Sequence, residues 1–114
     1  MFSLGKPREI KAALTLVTIE DKNQGLLGCS AVPTEVGALF HYRFKKNRKF
    51  TMMGMSTALD FVWLKGNKII ATRKNVPIGT SNISPKMRFD RVIELKPGTI
   101  KTFGIQKGDL LESV

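Results

Sequence analysis

Apolar residues in this chain gather in short stretches that have the length of strands rather than of helices. Ala13-Leu14-Thr15-Leu16-Val17-Thr18-Ile19 is rich in β-branched residues, which predicts a strand with one well-buried face. Gly37-Ala38-Leu39-Phe40-His41-Tyr42-Arg43-Phe44 alternates apolar and polar toward its end, as a half-exposed strand does. Leu59–Leu64 and Lys68–Thr72 flank Lys65-Gly66-Asn67. Gly-Asn suits the positive φ of a tight turn, so the two runs predict an antiparallel hairpin. Arg91–Leu95 is a further strand, stopped by Lys96-Pro97-Gly98. Gly108-Asp109 turns the chain into a closing strand, Leu110-Leu111-Glu112.

Helical signals are few. Gln24-Gly25-Leu26-Leu27-Gly28 reads as a short helix weakened by its two glycines, and Thr99–Phe103 before Gly104 fits one helical turn with a glycine exit. Val76–Arg88, with two Pro, one Gly and three Ser or Thr, reads as an irregular loop. With 114 residues the chain makes one domain, 1–114. The predicted fold is mostly β, at the margin of α+β: a small barrel or a folded-over antiparallel sheet with one or two short helices.

Composition narrows the chemistry. A 42% hydrophobic content with seven Phe supplies one core, and no apolar run has the length of a membrane-crossing helix. Met1–Lys11 lacks the basic start, apolar run and small-residue exit of a secretory signal, so a cytoplasmic protein without membrane insertion is expected. Cys29 is the single cysteine, which excludes an internal disulfide and a Cys-based metal cage; beside Leu26 and Leu27 it reads as a small buried hydrophobe. His41 is the single histidine and the acids are scattered, so neither a metal nor another cofactor is predicted. Met52, Met53 and Met55 are soft donors for monovalent copper, but in an apolar segment they read as core filler. Ser56, His41 and Asp60 have the residue types of a nucleophilic triad, yet no nucleophile-elbow glycines surround Ser56.

Charge is the unusual quantity. The net charge is +10, and all of the excess lies in residues 36–89, where eleven bases accompany one acid, Asp60. If Lys45, Lys46, Arg48, Lys49, Arg73 and Lys74 share a face, that face attracts polyanions, nucleic acid among them; if not, the charge serves solubility. Phe40-His41-Tyr42-Arg43-Phe44-Lys45-Lys46 interleaves aromatic and basic residues as base-stacking proteins do, although Phe40, Tyr42 and Phe44 fall on one strand face and also read as core.

From Gln24 onward, and most clearly over 24–112, the chain resembles the family known as domain of unknown function 192 (DUF192). The resemblance rests on ordered motifs. Gly25-Leu26-Leu27 is similar to the family's Gly-Leu-Met, and Gly37-Ala38-Leu39-Phe40 to its Gly-Met-Leu-Phe. Phe50–Asp60, followed by Phe61-Val62-Trp63-Leu64, is similar to F-W-M-K-N-T-x-x-P-L-D. Val92-Ile93-Glu94-Leu95-Lys96-Pro97-Gly98, Gly104-Ile105 and Gly108-Asp109 are similar to its V-L-E-L-x-x-G, G-I and G-D. Thr51, Met53, Gly54 and Ala58 stand where the signature has Trp, Lys, Asn and Pro, so of its Asn and Asp only Asp60 is present.

The resemblance implies a compact, mainly β domain and no particular reaction. Asp60 and Glu94, on predicted strands among apolar neighbours, are the candidate ligand-binding residues. Burial would raise their pKa values toward acid–base use, or they lock turns structurally. Three readings follow: a non-catalytic binding module with a basic surface over 36–89, a small enzyme or ligand-binding domain built on Asp60 and Glu94, and a structural or assembly protein.

Overall fold

The computed structural model describes residues 1–20, 26, 32–46 and 48–113, with backbone alone at 44 and 45. The expected helix over Gln24–Gly28 and the expected burial of Cys29 lie outside the described residues. Seven strands form a closed barrel. They are β1 (Phe2–Lys6), β2 (Glu9–Thr18), β3 (Val36–Lys46), β4 (Leu59–Lys65), β5 (Lys68–Val76), β6 (Phe89–Leu95) and β7 (Leu110–Ser113), with helix α1 (Thr99–Phe103) between the last two. The order around the barrel is β1-β2-β3-β6-β4-β5-β7. Every pair is antiparallel except β2 and β3, which run parallel from Thr15↔Val36 to Thr18↔Leu39. A parallel pair needs a connection of about a dozen residues or more, and residues 19–35 supply it. The sheet is therefore a barrel rather than folded over, and it is not wholly antiparallel.

The predicted hairpin is present: β4 and β5 pair from Leu59↔Val76 to Lys65↔Lys68, with Gly66 at φ 62 in the turn. Helix α1 also forms as expected, between left-handed Gly98 and Gly104. The expected loop after Val76 contributes one isolated bridge, Phe50↔Ile83. Two elements differ from expectation. β1 has no strong sequence signal, because Phe2-Ser3-Leu4-Gly5-Lys6 holds only two large apolar residues and a glycine at a register shift. Its strand character comes from partners distant in sequence, β7 on one side and β2 on the other. For the same reason β2 begins at Glu9, not at Ala13.

Alternate residues of the strands face opposite ways, and each face builds its own core. Leu4, Ala12, Leu14, Val62, Leu64, Ile69, Ile93, Leu95 and Leu111 fill the barrel, closed at one end by Ile100 and Ile105 of the α1 segment. On the outer face Phe40, Phe61, Trp63 and Val92 are covered by Met52, Met55, Ile83 and Phe89, with Phe50 and Tyr42 packed beside them. The segments before β4 and before β6 join over this face: Phe50 and Ile83 exchange backbone hydrogen bonds of 2.7 and 2.9 Å, and Met52 N–H donates to the Thr80 carbonyl at 2.6 Å. Lys11 ties β2 to the end of α1, its ammonium donating to Asp109 at 2.9 and 3.1 Å and to the Gly104 carbonyl at 3.0 Å.

The parallel pair leaves little room inside the barrel at Gly37. A Cβ there would stand 2.8 Å from Leu16 and 2.9 Å from both Ile93 and Leu95. Gly37→Ala is expected to cost about 1–3 kcal/mol through overpacking. Urea denaturation measures it; unchanged stability would mean that the β2–β3 seam yields freely.

Candidate functional site

Asp60 is the second residue of β4, opposite Leu95. Around it the β4–β5 register shifts between Leu59↔Val76 and Phe61↔Arg73, and Asn75 adopts a left-handed φ of 49. Such a bulge removes a backbone N–H from the ladder. Helix α1 has a similar deficit, because its N-cap, Gly98, has no side chain to accept from the first turn. One carboxylate serves both. Asp60 Oδ1 accepts the Asn75 N–H at 2.7 Å and Oδ2 the Ile100 N–H at 2.9 Å, with the residue fully buried.

Glu94 lies on the adjacent strand but faces the other way. It pairs with Phe61 and Ala38, both in the outer core, whereas Asp60 stands in register with Leu95 on the barrel side. The two candidate carboxyls thus do not share a pocket. Burial pushes the Glu94 carboxyl up to about 7. No described residue hydrogen-bonds it, and on the same face the Trp63 indole N–H is buried without an acceptor. His41 pairs with Arg91, in register with Leu64, roughly 13 Å along β4 from Asp60. With Asp60 already holding two amides, Ser56, His41 and Asp60 are not assembled as a triad. Met52 and Met55 are core residues while Met53 is exposed, so the three methionines do not converge either. Among the described residues no group of three or more His, Cys, Asp or Glu is placed to hold a metal, and no helix is long and apolar enough to cross a membrane.

A pocket of about 170 Å³ opens beside the outer core over the β2–β3 pair, walled by Val17, Ile19, Leu26, Val32, Val36 and Ala38. The Lys96 ammonium donates to the Thr34 hydroxyl at 3.3 Å, next to Pro33 on the pocket wall.

The six basic candidates divide between two places. Lys46 is exposed at the end of β3, opposite Phe89, and Lys49 is exposed just beyond it. The Arg48 guanidinium lies 4.0 Å over the Tyr42 ring, which also packs edge-on against Phe50 and Phe89, so Tyr42 is no free stacking platform. The side chains of Phe44 and Lys45 lie outside the described residues. Arg73 and Lys74 are exposed near the far end of β5. Arg73 is in register with Phe61 and so with Glu94, roughly 17 Å along β6 from Phe89.

The barrel end that carries Lys46 includes other cations. The β4–β5 turn lies about two strand spacings, about 10 Å, away and sets Lys65 directly opposite Lys68. Arg91 is opposite His41, half-buried, with its Nε lacking a partner. Sequence reading left Lys65, Lys68 and Arg91 out of the set. The first two flank the predicted turn, but that turn's closeness to the end of β3 depends on β6 lying between β3 and β4.

The comparisons agree with this geometry. The family model DUF192, described as uncharacterized ACR, matches residues 4–113, so the match begins at β1 and not at Gln24. The crystal structure of a candidate transcription regulator from Sinorhizobium meliloti is similar in fold, with a TM-score of 0.83 at 23% identity, over 97% of this chain and 90% of that one. A protein of unknown function from Novosphingobium aromaticivorans superposes with a TM-score of 0.84 at 17% identity, covering 98% and 83%. At those identities the likeness is one of fold. No curated protein matches the chain.

Asp60→Ala leaves the Ile100 and Asn75 N–H groups without an acceptor. It is expected to cost about 1–3 kcal/mol and to speed amide exchange at both residues. Stability and exchange like the parent's would show that water replaces the carboxylate without loss. For Glu94, the folded chain holds the proton more tightly than the unfolded chain, where the ordinary value is 4.5. Its contribution favours folding at acidic pH and fades as pH rises from about 4.5 through about 7, by up to about 3 kcal/mol. Glu94→Gln cannot titrate, so the parent is expected to lose stability relative to this variant across that window. Parallel stability curves would mean that Glu94 ionises freely in the fold.

Proposed function

Because this chain belongs to the DUF192 family, whose members are described as uncharacterised, we propose from its own surface that it is a non-catalytic binding module for an anionic partner. The contact surface is the barrel end formed by the exit of β3 and the β4–β5 turn. The observation that carries the reading is the concentration of cations there: Lys46 and Lys49 beside the opposed pair Lys65 and Lys68, with Arg91 behind them. Like charges set opposite each other across a hairpin disfavour the free fold, and an anion removes that cost. Asp90 is the one acid at the β4–β5 turn and offsets only part of this charge. Asp60 and Asp109 are buried in structural roles, and Asp90 accepts the Gly66 N–H at 2.9 Å. The separate reading as a two-carboxylate enzyme has no comparable support, since Asp60 and Glu94 face opposite ways.

The partner is a polyanion, with nucleic acid as the specific case. Binding by charge is sequence-tolerant and steeply salt-dependent, each phosphate contact contributing about −0.7 to −0.9 to the logarithmic salt slope. Replacing Lys46, Lys49, Lys65 and Lys68 by Gln is expected to flatten that slope by two to four contacts' worth, roughly 1.5–3.5 units. Replacing Arg73 and Lys74 should leave it nearly unchanged. A salt titration with a labelled oligonucleotide, compared with heparin, reads both effects. Tighter binding of the oligonucleotide marks nucleic-acid recognition, and equal binding marks charge alone. Absence of binding at low salt, or equal effects of the two variants, would overturn the proposal.

A further inference from the structure

Leu39 and Ile93 stand opposite each other on β3 and β6 and pack into the barrel interior. Two residues further along each strand, on the same face, are His41 and Arg91, with Leu64 of β4 on the other side of Arg91. The interior hydrocarbon therefore ends at a mouth edged by an imidazole and a guanidinium. They belong to directly opposed residues, whose Cβ atoms are about 5 Å apart.

A charge drawn out of water calls for a partner. Arg91 is half-buried, its Nε is buried without an acceptor, and among the described residues no carboxylate forms an ion pair with Arg91 or His41. Of the acids flanking these strands, Asp90 accepts the Gly66 N–H at 2.9 Å. Glu20 is exposed, one residue past the Ile19 N–H that donates to the Leu39 carbonyl.

The setting distinguishes Arg91 from the lysines. Lys46, Lys49, Lys65 and Lys68 are exposed and can meet the phosphodiesters of a strand lying across them, whereas Arg91 is recessed. A phosphodiester carries a sugar on each side, which holds it away from a recessed group. A phosphate monoester is free on one side and can enter. The guanidinium fork matches two phosphate oxygens, and an imidazole N–H supplies a third donor.

We propose that Arg91 and His41 bind a phosphate monoester, in particular the terminal phosphate of a polynucleotide whose backbone lies on the lysines. This rests on the polyanion reading and names the group that the site recognises. The guanidinium turns Nε and one Nη toward two phosphate oxygens, and the His41 ring N–H donates to another. The unpartnered Nε of the free fold thereby gains its acceptor.

The test compares an oligonucleotide with phosphates at both ends against the same oligonucleotide ending in hydroxyls. The parent chain is expected to bind the phosphorylated one about tenfold tighter, as charge-assisted hydrogen bonds lost one at a time predict. Arg91→Lys keeps the charge but not the fork, so it should lose most of that preference while the salt slope stays near the parent's. Arg73→Gln, on the far part of β5, should keep the preference. On the parent chain alone, phenyl phosphate should shift the Arg91 Nε–H and His41 ring signals in an NMR titration, and the diester dimethyl phosphate should not. Equal binding of the two oligonucleotides, a preference that survives Arg91→Lys, or phenyl phosphate shifts centred elsewhere would each overturn this proposal and leave the polyanion reading standing. No binding of either oligonucleotide at low salt would overturn both.

Discussion

Backbone amides at the first turn of a helix and at a strand bulge lack partners in their own elements, and burying them unpaired costs free energy. In this barrel both deficits fall at one end, and the Asp60 carboxylate meets them together through Asn75 and Ile100. The helix that closes the barrel is a single turn flanked by glycines, too short to be stable alone. It stays because Ile100 enters the barrel core and Asp60 accepts from its backbone. From there Gly104 and Asp109 join the chain after the helix to Lys11 of β2 and lead it into β7. With β7 in place, β1 has partners on both sides and the sheet closes.

Closure makes the sheet two-sided, and that governs where chemistry is available. The inner face is packed hydrocarbon with Asp60 committed at its end. The outer face of β3, β6, β4 and β5 is a second core under the segments that precede β4 and β6, and it includes Glu94. Among the described residues, this cover stops short of the β2–β3 edge of the outer face, where the apolar pocket lies. The cations at the β3 exit and the β4–β5 turn occupy the remaining end. The proposed anion contacts thus lie at an end that neither core consumes.

The local elements were legible because their signals are local. Gly66-Asn67 between two apolar runs is a hairpin by turn chemistry alone, and Thr99–Phe103 before Gly104 is a helical turn by its punctuation. Asp60, a lone acid among Leu59, Phe61 and Val62, was open to a structural or a ligand-binding reading, and its two hydrogen bonds supply the structural one. β1 was not legible, since its five residues become a strand only between β7 and β2. Lys11 with Asp109 was equally hidden, being a pair formed by residues far apart in the chain.

The sequence by itself determined a small, mainly β domain, the excess of positive charge in residues 36–89, and the absence of a disulfide or a multi-histidine metal set. Those follow from composition and short-range periodicity. Only the tertiary structure decided that the sheet closes, that β2 and β3 run parallel, and that Asp60 and Glu94 point apart although their strands adjoin. It also decided which lysines are neighbours, separating Arg73 and Lys74 from Lys46 and bringing in Lys65 and Lys68. The reason is register. Which residues stand side by side across strands, and on which face, depends on pairings between distant segments, and a shift of one residue turns every side chain to the other face.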